Sequence, residues 1–156
     1  MSLLSRKFGG PYPAGDPHSR PLPSSVSLWC AEQKGLFSAD AILIPGDMPI
    51  YQDILASVQS IRRLKRIEGI KLLLSAWDGP LAGGEAYPVM DRGLEYLQQI
   101  HKSVPRAAGG MSSSAEIDPM ELCRRVAAEM ELPFHMTNPL VARTFMSSLT
   151  TTPQTS

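Results

Sequence analysis

Three histidines, two cysteines and fifteen carboxylates are the side chains of this 156-residue sequence that could hold a metal ion or move a proton. A binuclear hydrolytic centre needs several neutral imidazoles and at least one carboxylate converging at about 2.0–2.2 Å from the ions. The histidines stand apart, at His18, His101 and His135, and none has a second histidine two to four residues away. His18 lies in a proline-rich start, and His135 lies between two helical patterns. His101 falls late in a helix, where a protonated imidazole complements the helix dipole. Cys30 and Cys123 are far apart with no CxxC, which argues against a disulfide framework or a zinc ribbon and for reduced thiols. Asp40 closes an apolar run directly before an irregular loop. Two readings of it stand level. A carboxylate at a strand end can face a loop-built cavity, or it can hydrogen-bond the loop backbone. Asp47, in Pro45-Gly46-Asp47, shapes a turn.

Arg62, Arg63, Lys65 and Arg66 make a basic cluster around Leu64. It reads as a phosphate-binding patch or, more commonly, as a solvated helix face, and no interleaved aromatic supports single-strand stacking. Gly83-Gly84 lacks the flanking glycine and Lys-Ser/Thr of a nucleotide loop. No GxSxG marks a serine nucleophile.

Composition excludes further classes. Fifteen basic and fifteen acidic side chains cancel, whereas proteins that neutralise a nucleic-acid backbone show a basic excess. Nucleic acid and membrane are therefore not expected partners. No apolar run reaches the 18 residues of a membrane span. The first residues have no apolar stretch of a secretory signal, so a cytoplasmic location is expected. Fourteen prolines, about 9% of the chain against an average near 5%, are unevenly spread.

Five of those prolines lie in residues 1–23, which have no periodic pattern and are expected to be extended or disordered. Residues 24–104 form the main half-domain. Within it, residues 25–30 and 36–40 flank a polar turn ending in Gly35 and predict a β-hairpin. Ile54, Val58, Ile61, Leu64 and Ile67 recur at helical spacing, predicting a helix over 50–67 that Gly69 stops. Residues 70–74 predict a buried strand. Val89, Gly93, Leu94, Leu97, Ile100 and Val104 predict a second helix ending before Pro105. Residues 105–117 read as a linker. Residues 118–149 form a helical extension. Asp118 and Pro119 signal its start, Glu121 stands where a capping-box acid reaches back, and Asn138-Pro139 starts the last helix. Residues 150–156 are a polar tail. The fold class reads as α+β or α/β: hairpin, helix, strand, helix, then two appended helices, with three strands that look too few for four helices.

The wording of SVSLWCAEQKGLFSADAILIPGDMPIYQD, followed by LLLSAWDGP, resembles the C-terminal half of metallo-β-lactamase-fold hydrolases. DPMELCRRV and NPLVARTF are similar to the helical C-terminal extension of one subgroup. The resemblance runs from about residue 22 to 149. It implies half of an αββα sandwich, a zinc or another divalent metal as cofactor, and hydrolysis of an ester, thioester, amide or phosphoester. It also implies that Asp40 is the metal-bridging aspartate of the "GD" motif, with Ala39 in place of the glycine.

The departures from that family are as informative. Nothing resembles HxHxDH, which supplies most ligands. Pro21 stands where a second ligand histidine is expected, with His18 three residues away. Trp77 replaces the histidine of the "GH" motif. Asp78 beside it could serve as an oxygen ligand or, equally, form a turn before Gly79-Pro80. The candidate metal residues are thus Asp40, His18 and Asp78. One matched carboxylate falls short of the three protein ligands that a hydrolytic zinc takes, so metal is expected to bind weakly or not at all. The chain is expected to be a catalytically incomplete half, or alternatively a non-catalytic interaction module. A half-sandwich leaves an apolar sheet face to be covered, by self-association or by a complementary N-terminal half.

Overall fold

A computed structural model of the chain describes residues 26–76, 78–109, 111 and 117–150. His18 and Trp77 lie outside the described residues. So do the proline-rich start and the polar tail after Thr150, which itself ends a helix.

The hairpin pairs β1 (Leu28–Cys30) with β2 (Gly35–Ala39) in antiparallel register, Leu28 opposite Phe37 and Trp29 opposite Leu36. The turn occupies residues 31–34, one earlier than the sequence predicts. Lys34, not Gly35, takes the left-handed conformation, at φ 52°. The reason lies in the next strand. The Lys34 carbonyl accepts hydrogen bonds from the backbone N–H groups of Lys71 (2.8 Å) and Leu72 (3.4 Å), so Gly35 already belongs to the ladder. Strand β3 (Leu72–Ser75) lies parallel to β2, and β4 (Leu81–Ala82) closes the sheet antiparallel to β3. The result is one four-stranded sheet in the order β1-β2-β3-β4. The sequence predicts three strands, because two residues after Gly79-Pro80 are too short a run to show a period.

Helix α1 (Ile54–Lys65) starts four residues later than predicted. Asp53 caps it, its carboxylate accepting from the N–H groups of Leu55 (2.8 Å) and Ala56 (3.0 Å), as Asp does at an N-cap. Just before the cap, Tyr51 is buried and hydrogen-bonded to Ser148 at 2.7 Å, which holds that segment outside the helix. Gly69, at φ 73°, follows where the chain leaves α1.

Helix α2 (Gly83–Gly109) does not end before Pro105 but runs through both Pro88 and Pro105. Proline removes one backbone hydrogen bond and disfavours a helix interior. Here burial overrides that local cost, because Ser103, Val104 and Ala107 on either side of Pro105 are all buried. Helix α3 (Pro119–Glu129) begins as predicted, with Asp118 accepting from the Met120 N–H at 3.1 Å. Glu121 does not complete a capping box; its carboxylate turns to Arg124 (2.6 Å) and Arg125 (3.0 Å). A 3-10 turn (Phe134–Met136) leads to α4 (Pro139–Thr150), where Asn138 accepts from the Leu140 and Val141 N–H groups at 3.0 and 3.1 Å.

Helices α1 and α2 pack together, α2 lies on β3 and β4, and α3 and α4 pack on each other and on α2. One core joins Leu36 and Leu73 of the sheet to Ile61, Leu97, Ile100, Leu122 and Phe145. The two sheet faces differ sharply. Leu36 and Leu73, which face each other across β2 and β3, are 0% and 1% exposed. On the other face Leu28, Phe37 and Leu72 are 43%, 40% and 38% exposed, and Val26, two residues before β1, is 46% exposed. The architecture is α+β, and no described helix is long and apolar enough to cross a membrane.

Candidate functional site

Parallel strands deliver their C-terminal ends to the same edge of a sheet, and in α/β architectures that is where sites collect. Ala39 of β2 stands opposite Ser75 of β3, and the Ala76 N–H donates to the Ala39 carbonyl at 2.9 Å. Asp40 follows directly on Ala39, and Asp78 lies three residues past Ser75. The fold therefore brings two of the three candidate ligands to one end of the sheet, both exposed.

Ala39 adopts φ 50° beside a register irregularity in β2. That is the left-handed conformation glycine accepts and a Cβ resists. The turn that sends Asp40 away from the strand is held by a residue that opposes it.

Asp78 forms a turn. Its N–H donates to the Ser75 hydroxyl oxygen at 2.9 Å, and that hydroxyl approaches the Asp78 carboxylate at 3.4 Å. Asp47 also behaves as a turn former: its carboxylate accepts from the Ile44 N–H at 3.0 Å, and its own N–H donates to the Ile44 carbonyl at 3.0 Å. Tyr96 donates to the Asp47 carbonyl at 3.2 Å, fixing the loop after Asp40 onto α2. Burial, helped by the negative charge of Asp47, pushes the Tyr96 phenol up to about 12. Tyr51 is raised further, again by burial, against the opposing pull of its Ser148 hydrogen bond.

The remaining candidates fall away from this end. His101 lies two turns from the end of α2, because that helix continues to Gly109; a dipole contribution, which fades beyond the last turn, does not apply to it. Burial raises the Cys123 thiol, which is the condition of an inert core cysteine. Among the described residues, no three of His, Cys, Asp and Glu group closely enough to hold a metal ion. Two carboxylates do not make the three-ligand set of a hydrolytic zinc. The described donors thus do not fit the metal that the family resemblance implies, and the contribution of His18 lies outside the described residues.

No protein-family model and no curated protein matches the sequence. Among solved structures, the chain is similar to a metallo-beta-lactamase family protein from Thermus thermophilus, at 15% identity and a TM-score of 0.53. The match covers 80% of this chain. This chain carries part of a metallo-β-lactamase-like fold. It spans 38% of the length of that neighbour. The likeness is one of architecture. The signal for that open face is present in the sequence, in the apolar residues Leu28, Phe37 and Leu72 at alternate strand positions, but only the register shows that they share a side.

Proposed function

We propose that this chain is a metallo-β-lactamase-fold polypeptide that does not hydrolyse substrate alone, and that it docks a second β-layer on the open face of β1–β4. The observation that carries this reading is the pairing of a sheet face on which Leu36 and Leu73 are buried with an opposite face on which Leu28, Phe37 and Leu72 are exposed. Contiguous exposed apolar surface marks an interface, and two sheets packed face to face at about 10 Å would bury these side chains. Asp40 is the chain's contribution to a metal site whose other donors arrive with the second layer. A divalent ion held there would lower the pKa of bound water toward neutrality; nothing else at this sheet end would do so. Ester, thioester, amide or phosphoester substrates follow from the family resemblance.

A second reading is a binding module with no chemistry at any stage. The engagement of Asp78 by Ser75 favours it. Zinc calorimetry tests the first reading and separates it from the second. The isolated chain takes up less than one tightly bound zinc and hydrolyses no p-nitrophenyl ester. A complex purified with its covering layer gains zinc that Asp40→Ala removes. Stoichiometric, tight zinc on the isolated chain overturns the first reading; a complex that stays metal-free establishes the second.

A further inference from the structure

The three cations of α1 and Arg66, its C-cap, divide into two groups. Lys65 pairs with Asp91 of α2. Arg62, Arg63 and Arg66 form no ion pair and no side-chain hydrogen bond among the described residues, and α1 contains no acidic residue. With Gln59 they stand at positions i, i+3, i+4 and i+7 of the helix, so they share one side. These four side chains line a cleft of about 290 Å³.

We propose that this cleft binds a phosphate-type oxyanion carrying two or more negative charges, the group a phosphomonoester presents. This proposal is independent of the docking surface and of Asp40. The whole chain is neutral, so the cluster does not follow from a general basic excess. Like charges at helical spacing repel; Arg62, Arg63 and Arg66 stand in the last turn and at the C-cap of α1, where the negative helix end offsets part of that repulsion. An anion seated among the three would relieve it.

All three unpaired residues are arginine, whose planar fork matches phosphate oxygens two at a time, whereas a lysine offers a point charge. Gln59 adds an amide donor. The volume sits at the lower edge of small-molecule sites, enough for the phosphate group but not for a drug-sized body. No aromatic side chain lines the cleft, so nothing there would stack a nucleobase. The phosphate itself is the recognised group.

The test is titration of the full chain with phenyl phosphate at constant ionic strength, followed by calorimetry and by arginine side-chain NMR. Saturable binding is expected, displaced by inorganic phosphate but not by an equal ionic strength of chloride. It weakens as pH falls below about 6, where a phosphomonoester loses its second charge. Each of Arg62→Gln, Arg63→Gln and Arg66→Gln lowers affinity roughly three- to tenfold, as loss of one charge-assisted contact does. The triple variant abolishes binding while keeping its helical circular dichroism, since glutamine is a good helix former. Arg143→Gln, on α4, changes affinity less than about twofold. Vesicles containing phosphatidic acid form a second arm. Arginine-dependent binding to them without binding of soluble phenyl phosphate assigns the same site to a lipid headgroup. Binding that is unsaturable, equally lost to chloride, unchanged in the triple variant, or seen only with RNA or heparin overturns the proposal.

Discussion

Gly83 and Gly84 are adjacent, identical and opposite in what they tolerate. Gly83 begins α2 where the helix crosses the approach to β3, and its N–H donates to the Lys71 carbonyl at 2.9 Å. A Cβ placed on Gly83 would stand 1.9 Å from the Ile70 carbonyl oxygen and 2.9 Å from the Lys71 Cα, both backbone atoms. Ordinary contact begins at 3.4 Å, so the helix start would have to retreat by about 1.5 Å from β3, losing its hydrogen bond as it goes. Overpacking costs about 1–3 kcal/mol, and with only backbone in the way Gly83→Ala should fall near the top of that range. A Cβ on Gly84 meets nothing within 4 Å. There alanine gains its helix propensity, up to about 1 kcal/mol in a helix interior and about half that in the first turn. Urea unfolding of both variants, followed at 222 nm, should move the midpoints in opposite directions with the slope unchanged. Gly83→Ala within about 0.5 kcal/mol of wild type, or two shifts of the same sign, would refute the close approach of α2 to β3.

Other outcomes follow from the same packing. Ala39→Gly should stabilise the chain by about 0.5–1 kcal/mol, the left-handed strain of alanine less the chain entropy of glycine; a denaturant midpoint lower than wild type would contradict it. Asp53→Ala removes the cap of α1 and should cost about 1 kcal/mol, read in the same unfolding assay. Tyr51 is raised above its ordinary value near 10 by burial. Its stabilising effect is therefore complete below pH 10 and lost as pH rises beyond it. Tyr51→Phe, which leaves Ser148 still donating to the Thr144 carbonyl at 3.4 Å, should cost about 1 kcal/mol at pH 7 and flatten the loss of stability between pH 10 and 12. Parallel curves for wild type and variant would count against the burial of this phenol.

Much of the fold is legible in the sequence because its signals are local. Asp118, Asn138 and the stripe Ile54, Ile61, Leu64 mark helices by capping and periodicity, and the structure places each as those signals require. Structure and sequence part where tertiary packing outweighs a local rule. Pro105 ought to end a helix, yet Val104 and Ala107 are buried on either side of it. Strand β4 is two residues long and exists only because β3 offers it an edge. Gly93 fits an apolar stripe by its spacing. In the fold it is a contact point, where a Cβ would stand 2.9 Å from the Leu43 carbonyl oxygen. At the candidate site, sequence order alone places Asp40 at a strand end. That Asp78 shares that end depends on β2 and β3 being parallel, and no local pattern encodes strand direction.

The open sheet face carries the account, and sedimentation velocity over a range of concentrations addresses it most directly. Wild-type chain should self-associate and bind a hydrophobic dye, because in a pure sample a second copy of the chain can cover the apolar face. Leu28→Thr with Phe37→Thr, both on that face and both compatible with a strand, should shift the chain to monomer and lower the dye signal. A wild-type chain that sediments as a monomer at every concentration and leaves the dye dark would contradict it.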